Sequence, residues 1–592
     1  MPETVSGSPN APAFDLTSQP WIGVLRRNGS QDELSLRQVF AQADDLRCVV
    51  GELATQEFSL VRLLLAVAHD ALAGPGDIEE WVELWEDPGC FVPVQAYLDE
   101  QRDRFDLLHP VAPFGQTARL RTAKDEVFSL NRIVADVPAG EPFFSARMPD
   151  VQRLSFAEAA RWVVHVHAYD TSGIKSGMVG DDRVKGGKVY PLGTGWAGGL
   201  GGVFVEGATL RETLLLNLVA ADTELLDFSA DDRPAWRREP CGPGSDGRTA
   251  TGLRDLYTWQ SRRVRLHHDA DGVHGVVLGY GDPLVARNMH QGEPMTAWRR
   301  SPAQEKKLGQ SPVFLPLEHD PARAAWRGIA ALLADRLEGT NGAAGPSRLR
   351  PRILEWIARL VTERHLSRRF LVRTRVVGVR YGTQQSVIDE VIDDRLEIPV
   401  VLLHGQDPAY AAQAIAAAED ADRAVRILGD LAADLARARG SEQEGPKYVA
   451  RAEGFDALDH PYRAWLSDMA KAPDPFEHRH IWQRQVRHTV GRLGDRLIAA
   501  AGDAAWEGRI HTDPKGGTHW LNAGLADVWF RGRLAKALGD PDSLDASGSS
   551  GSSSAAGSSG KGTAPPEGRP AGPVPAGPRK TEHAATDPEV HV

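Results

Sequence analysis

The sequence predicts an α+β protein with a large mixed α/β N-terminal domain, a C-terminal four-helix bundle and a disordered tail. Strand-like alternation and helical periodicity are mixed in residues 14–404, whereas four helical patterns follow one another in 405–540. Residues 1–13 and 541–592 show neither period, and we expect both to be disordered. At 592 residues the chain is too long for one core, so several domains are expected.

The N-terminal domain begins with a predicted β-hairpin. The run from Trp21 is apolar, Asn28-Gly29 is a turn signal, and the run ending at Leu36 can return antiparallel. Helical periodicity follows at 36–44 and 57–73, and again in the segments WVELWED and VPVQAYLDEQRDRF. A hairpin followed by helices is the first indication of a mixed fold.

The middle of the chain alternates between helices and strand-like pieces. A helix is predicted at 156–168, directly before a glycine-rich stretch at 171–207, and another at 210–221. The pieces RVRLHH and GVVLGY are strand-like. After a predicted helix at 350–366, two alternating runs flank Tyr381-Gly382, which predicts a strand pair with its turn there.

The pattern changes near residue 405, where alanine-rich helical periodicity begins. The first pattern ends at Gly440, a helix stop signal, and the others lie at about 446–470, 475–501 and 521–538. Four helices with short connections predict a bundle. From Pro541 onward the run SGSSGSSSAAGSSG contains no aromatic residue, so it cannot bury enough apolar surface to offset its chain entropy.

Composition excludes several classes of protein. The balance of 68 basic and 80 acidic residues argues against a protein that coats nucleic acid over its whole surface, but it allows a local basic site. The three cysteines are widely spaced, so neither a structural zinc site nor a disulfide framework is expected. The N-terminus has no apolar signal region, and the apolar runs are too short for a membrane span. We expect a cytoplasmic protein without membrane, metal or cofactor.

The glycine-rich stretch offers two interpretations. Its glycines let another molecule approach the main chain, and Lys175 with neighbouring basic residues suggests an anionic partner. Residues 193–198 also fit GxGxxG, but a dinucleotide site requires a strand before the glycines and a helix opening within them. His165 and His167 do not share a helix face, so packing is favoured over metal binding. The sequence contains no GxSxG or HExxH motif, and no catalytic residue is predicted.

Several longer segments carry a family resemblance, and their order along the chain agrees with it. They are FDLTSQPWIGV, VRLLLAVAHDAL, RFDLLHPVAPFGQT, TSGIKSG followed by LRETLLLNLV, and RYGTQQSVIDE. With these segments the chain resembles the CasA large-subunit family of the type I-E CRISPR Cascade complex. The resemblance implies the same two-part architecture, a mixed α/β domain followed by a four-helix bundle.

The resemblance also implies a function. Members of the family are not enzymes; they recognise the protospacer-adjacent motif (PAM) in duplex DNA, promote strand separation and R-loop formation, and offer a docking surface to a helicase-nuclease. The implied partners are target double-stranded DNA, the crRNA-bearing Cascade backbone with its small subunits, and the recruited helicase-nuclease.

The family's site residues carry over onto three places in this sequence. A glycine loop that reads the PAM from the minor-groove side matches Tyr169 to Gly173, just before Lys175. A glutamine wedge at a hairpin tip matches Gln384, and a basic residue on the PAM duplex matches Arg287. The DNA-binding residues implied are therefore Tyr169, Asp170, Thr171, Ser172, Gly173, Lys175, Arg287, Thr383, Gln384 and Gln385.

The chain departs from the family pattern within the loop. Other members have several consecutive glycines there, whereas this chain has Asp170, Thr171 and Ser172 before Gly173. We expect either a different PAM preference or recognition that rests on other backbone contacts. Two rival functions stay open at this point: a nucleotide-binding enzyme that uses the glycines at 193–202, and a pure protein scaffold.

Overall fold

A computed structural model describes most of the chain. The described residues are 13–135, 151–222, 226–227, 229–333, 346–367, 370–403, 407–512 and 516–539. The predicted disordered segments at 1–13 and 541–592 lie outside the described residues, apart from Ala13. Up to Leu538 the described residues form one compact unit with a continuous apolar core. The predicted division at 404/405 stays a prediction.

The predicted N-terminal hairpin and helices are confirmed. In chain order the elements are β1 (Ile22–Arg26), β2 (Gln31–Leu34), α1 (Leu36–Ala41), β3 (Leu46–Val49), α2 (Ala54–Ala71), α3 (Ile78–Glu86) and α4 (Val92–Glu100). The strand order is β2-β1-β3, with antiparallel pairing on both sides of β1. Ser35 starts α1 with a capping box, in which its side chain and that of Gln38 each accept from the other's backbone N–H. α2 is buried along most of its length and forms the centre of the core.

The glycine-rich stretch lies between a helix and a strand and contains little regular structure. The elements here are α5 (Phe156–Tyr169), β4 (Lys175–Ser176), β5 (Lys188–Val189), β6 (Gly202–Glu206) and α6 (Leu210–Leu216). α6 is shorter than the predicted helix at 210–221. The Asn217 side chain accepts from the Val205 N–H at 3.0 Å and donates to the Val205 carbonyl at 2.7 Å, which ties the helix end to β6. That cross-connection ends the helix at Leu216.

Short helices and strands follow in the next region. They are α7 (Leu253–Tyr257), β7 (Arg262–Asp269), β8 (Gly272–Tyr280), β9 (Trp298–Arg300), α8 (Pro302–Leu308), β10 (Phe314–Pro316), α9 (Ile329–Leu333), β11 (Arg348–Leu349) and α10 (Arg352–Thr362). β7 and β8 form an antiparallel hairpin, so both strand-like pieces of the sequence are confirmed. A second sheet has the order β10-β9-β11.

The predicted strand pair around Tyr381-Gly382 is a long hairpin, β12 (Leu371–Tyr381) and β13 (Ile388–Pro399). β6 pairs with the other edge of β12, which gives an antiparallel sheet of order β13-β12-β6. β6 is the strand that follows the glycine-rich stretch. The sheet therefore brings that stretch and the hairpin tip to the same part of the molecule.

Four long helices occupy the C-terminal part of the described chain. The elements are α11 (Pro408–Ala438), α12 (Gly445–Asp468), α13 (Pro475–Ala499), α14 (Asp503–Glu507), β14 (Arg509–Thr512), β15 (Thr518–Leu521) and α15 (Ala523–Leu538). α11 packs against α12, α13 and α15. The four long helices match the predicted patterns, whereas the β14–β15 hairpin was not predicted. None of the helices in the described ranges has the length and apolarity that a bilayer span requires.

Candidate nucleic-acid interface

Two predicted site segments meet in the fold. The loop from Tyr169 to Gly173 follows the end of α5, and residues 383–385 form the tip of the β12–β13 hairpin. The Ser172 N–H donates to the Gln385 carbonyl at 2.8 Å. The hydroxyl of Tyr381, 212 positions further along the chain, donates to the Tyr169 carbonyl at 2.7 Å. The loop and the tip therefore form one continuous surface.

A buried arginine and a tyrosine hold the carbonyls of the loop. Nη2 of Arg262, the first residue of β7, donates to the carbonyls of Asp170 and Thr171, each at 3.0 Å. Its Nε donates to the carboxylate of Asp170. The hydroxyl of Tyr280, the last residue of β8, donates to the Gly173 carbonyl at 2.8 Å. These donors turn three of the loop's carbonyls toward the β7–β8 hairpin.

Lys175 is an internal ion-pair partner rather than a surface cation. Its Nζ lies 2.6 Å from the Asp170 carboxylate and 5.3 Å from the ring centre of Tyr280, and its side chain is only 9% exposed. Burial lowers the pKa of Lys175 to about 8, and the nearby Asp170 opposes that shift. Burial by itself would raise the pKa of Asp170, but the charges of Lys175 and Arg262 hold that pKa below its usual value. The free phosphate-contacting lysine expected from the sequence is thus engaged within the protein.

The hairpin tip presents its side chains to solvent. Thr383 and Gln384 are exposed, and Gln385 is half-buried. Gln384 has φ 56° and Gln385 has φ 54°, so two consecutive non-glycine residues adopt the left-handed region. That region costs about 1–2 kcal/mol per residue for an L-amino acid. The Gln385 N–H donates to the Gly382 carbonyl at 2.9 Å, which closes the tip and leaves the Gln384 side chain projecting from it.

The later glycines pack against the base of the loop. A Cβ on Gly195 would lie 2.4 Å from the Ala168 carbonyl carbon, and one on Gly198 would lie 2.0 Å from the Tyr381 hydroxyl. The close approach of α5 and β12 therefore requires glycine at both positions. The cluster contains only a single 3-10 turn at Trp196–Gly199 and then enters strand β6, so it lacks the α-helix that must open within the glycines of a dinucleotide site.

A cavity of about 400 Å³ adjoins the loop and the tip. Its lining includes Arg132, Lys175 and Ser386. The Arg132 guanidinium lies 3.5 Å from the ring centre of Phe128. Burial lowers the pKa of Arg132, but the side chain is still exposed enough to meet an anion in the cavity.

Arg287 lies in the segment between β8 and β9 and is exposed. Within the described ranges it forms no ion pair or side-chain hydrogen bond. Its neighbours Leu284 and Ala286 line a small cavity of about 130 Å³ together with Arg262 and Gln385. The segment that carries Arg287 thus borders the same surface as the loop and the tip.

Comparison with known proteins identifies the family. A family model described as "CRISPR-associated protein Cse1" matches residues 15–493, which is well over half of the chain. The chain belongs to the Cse1 family. The predicted resemblance to the CasA large-subunit family is thereby confirmed, because a curated relative carries both names, CasA/Cse1.

Solved Cse1 structures share the fold described above. The crystal structure of Thermobifida fusca Cse1 is 55% identical, with a TM-score of 0.82 over 89% of this chain and 98% of that one. Cse1 from Acidimicrobium ferrooxidans is 32% identical, with a TM-score of 0.74 over 89% and 98% of the two chains. The CasA/Cse1 protein of Thermus thermophilus is 30% identical over 333 residues, which are 54% of this chain and 60% of that relative. The sequence match thus spans less than two thirds of the curated relative.

His165 and His167 of this Cse1-family chain are buried, and each has one ring nitrogen within hydrogen-bond distance of a protein oxygen. His165 Nε2 lies 3.0 Å from the Thr55 hydroxyl, and His167 Nε2 lies 2.7 Å from the Gly115 carbonyl. Burial lowers the pKa of His165 to about 3 and that of His167 to about 4, which keeps both neutral. Their environment is that of packed core histidines, the interpretation that the sequence favours.

Sequence reasoning missed Arg262, Tyr280 and Arg132. Arg262 lies 92 positions from Asp170, and no local motif links the two residues. The one available signal was the Arg262-Arg263 pair at the start of an apolar strand. Adjacent residues of a strand point to opposite faces of the sheet. If other elements cover both faces, both arginines are buried, and each guanidinium then requires hydrogen-bond acceptors inside the protein.

Proposed function

We propose that this chain is the non-catalytic large subunit of a crRNA-guided type I-E CRISPR interference complex working in the cytoplasm. In this proposal the surface of residues 169–173 and 383–385 recognises the PAM in target duplex DNA from the minor-groove side. The observation that carries it is the hydrogen bond between the Ser172 N–H and the Gln385 carbonyl. Through it, the reading loop and the wedge would approach DNA as one unit.

The chemistry of the surface supports this assignment. The minor groove is only about 6 Å wide, so a main-chain loop with small side chains suits it better than a helix. Gly173 fits this need, since the nearest atom to an added Cβ there is 4.0 Å away and the position is open on its outer side. Gln384 can enter a base stack without carrying a charge into it.

The energetics of strand opening are also compatible with a single wedge. Inserting a side chain between base steps costs a few kcal/mol of unstacking. The guide–target duplex is about as stable as the DNA duplex that it replaces, so the free-energy change of the exchange is small. Modest protein contacts around the PAM can therefore make the exchange favourable. Arg287 and the Arg132 cavity would supply phosphate contacts, while Lys175 would support the loop from inside.

The proposal extends to the partners. The crRNA-bearing backbone and small subunits would hold the chain at one end of the complex, and the four C-terminal helices, taken as a four-helix bundle, would contribute a docking surface. A helicase-nuclease recruited to the opened DNA would cut it. The competing candidate is a pure scaffold, which predicts that Gln384 and Arg287 are dispensable for DNA binding.

One experiment tests the proposal directly. Guide-loaded complex is assembled with and without this chain, and binding is measured to targets that carry the matched sequence behind a randomised PAM. We expect PAM-dependent binding only when the chain is present. Equal binding with and without the chain would contradict PAM recognition by this chain and would support the scaffold function.

A further inference from the structure

Arg262 is a buried cation that no predicted role uses. Its side chain is 2% exposed. Besides its bonds to Asp170 and Thr171, Nη2 donates to the Gly193 carbonyl at 3.0 Å, and Nη1 donates to the Ser261 carbonyl at 2.9 Å. One guanidinium thus fixes the loop and the start of the glycine cluster at the same time. Only arginine offers this fork of donors.

The fixed carbonyls determine where the loop's N–H groups point. A trans peptide unit is planar, so a carbonyl turned inward turns the N–H of the next residue outward. The inward carbonyls of Asp170 and Gly173 therefore turn the N–H groups of Thr171 and Ile174 away from the core. Neither N–H donates a hydrogen bond to any residue in the described ranges. Ile174 is 57% exposed, in keeping with this outward orientation.

We propose that Arg262 is the positioning residue of the reading loop and that the N–H groups of Thr171 and Ile174 are its reading donors. The inference rests on the proposed function. Donors of this kind fit the acceptors N3 of adenine and O2 of thymine, whereas the N2 amino group of guanine adds a competing donor in the minor groove. The loop therefore favours an A·T pair over a G·C pair at the position it faces.

The neighbouring residue provides a matched control. Arg263 is fully buried on the other face of β7, and its guanidinium donates to the carbonyls of Gly242, Gly244 and Gln260. It contacts no residue of the loop within the described ranges. Arg263→Lys thus disturbs a comparable buried network without touching the reading donors.

Arg262→Lys and Arg263→Lys chains are assembled into guide-loaded complex and tested on the randomised-PAM targets. The readout is the ratio of binding to A·T over G·C at the PAM position where the wild-type chain discriminates most. We expect Arg262→Lys to reduce this ratio about tenfold, the effect of losing charged hydrogen bonds. The salt dependence should not change, since Arg262 meets no phosphate. Arg263→Lys should keep the wild-type ratio.

Hydrogen–deuterium exchange on the free chain gives a second readout that needs no DNA. Peptides that cover 169–178 should exchange faster in Arg262→Lys than in the wild type or in Arg263→Lys. If Arg262→Lys does not fold, Tyr280→Phe takes its place, because it removes only the hydroxyl that holds the Gly173 carbonyl. A loss of one neutral hydrogen bond should reduce the ratio about fivefold.

Several results would overturn the inference. One is an unchanged A·T over G·C binding ratio in a folded Arg262→Lys chain, and another is an equal loss of that ratio in Arg263→Lys. If Arg262→Lys does not fold, an unchanged ratio in Tyr280→Phe has the same meaning. A wild-type preference for G·C would also contradict the inference. If the wild-type chain confers no PAM dependence at all, the proposed function fails. In that case the exchange measurement still decides whether Arg262 holds the loop.

Discussion

The loop at 169–173 holds its main-chain carbonyls against buried donors, whereas the hairpin tip at 383–385 leaves two of its side chains in solvent. In the loop, Arg262 and Tyr280 satisfy the backbone. At the tip, the backbone is held in the left-handed region and the Gln384 side chain is exposed. The two regions touch, but in the proposed function they would offer DNA different groups, main-chain N–H donors in one case and a projecting side chain in the other.

If the proposed function is correct, this difference assigns PAM recognition to the loop and strand opening to the tip. A loop that reads through its backbone depends on the residues behind it, so its function should be lost by changes to buried partners. A tip that acts through one side chain should lose function only when that side chain is removed. Mutations can therefore break one region while leaving the other intact.

The largest effect is expected at the tip. Gln384→Ala should slow R-loop formation at least about tenfold, because the proposed wedge would hold apart the first base step, whose unstacking costs a few kcal/mol. Initial encounter with PAM-bearing duplex should change much less. Stopped-flow measurement of strand opening checks this, with Gln31→Ala, the same change at an exposed glutamine of strand β2 outside the proposed surface, as control. Equal opening rates for wild type and Gln384→Ala would remove the wedge from the proposal.

Lys175→Met tests whether the loop is supported from inside. Removing the ammonium leaves the buried Asp170 with Arg262 as its remaining charged partner, so the free energy of unfolding should fall by about 1–3 kcal/mol in urea titrations. The slope of log affinity against log salt should stay at the wild-type value. Lys188→Met, which changes an exposed lysine on the facing strand β5, is the control. A slope reduced by about one would instead make Lys175 a phosphate contact.

The pH dependence of the free energy of unfolding should also show whether Lys175 is a buried ion-pair partner or an exposed phosphate contact. Burial lowers its pKa from 10.5 to about 8, so between these values the unfolded chain holds a proton that the folded chain has released. The free energy of unfolding should therefore rise with pH across that window through this group. Urea midpoints at pH 8, 9 and 10 should show a steeper rise for wild type than for Lys175→Met. Parallel curves would contradict a buried amine.

The smallest effect is expected at Arg287, which borders both regions. Because it is exposed and forms no ion pair in the described part of the chain, Arg287→Ala should leave stability unchanged. It should weaken DNA binding several-fold for all PAM sequences alike and lower the salt slope by about one. Filter binding at several salt concentrations measures the affinity and its salt slope. The control is Arg380→Ala, which changes a half-exposed arginine that is paired with Glu390. A change in PAM preference would move Arg287 into the reading site.

The comparison also marks what the sequence could predict. Alternation around Tyr381-Gly382 was enough to find the hairpin and its tip, because strand period and turn chemistry are local. The burial of Lys175 was not predictable, since it depends on Asp170 turning inward to meet Arg262 from a strand much later in the chain. The β14–β15 hairpin was missed because its strands, Arg509–Thr512 and Thr518–Leu521, are too short to show a period beside long helices.

The left-handed backbone at Gln384 also has a practical use. The position already carries a long side chain at φ 56°, and that side chain packs into no core. A fluorescent or photo-crosslinkable amino acid installed there would keep the surrounding hairpin intact. If the proposed wedge role is correct, the label would enter the base stack in place of the glutamine, and its signal would report when the strands of a target separate.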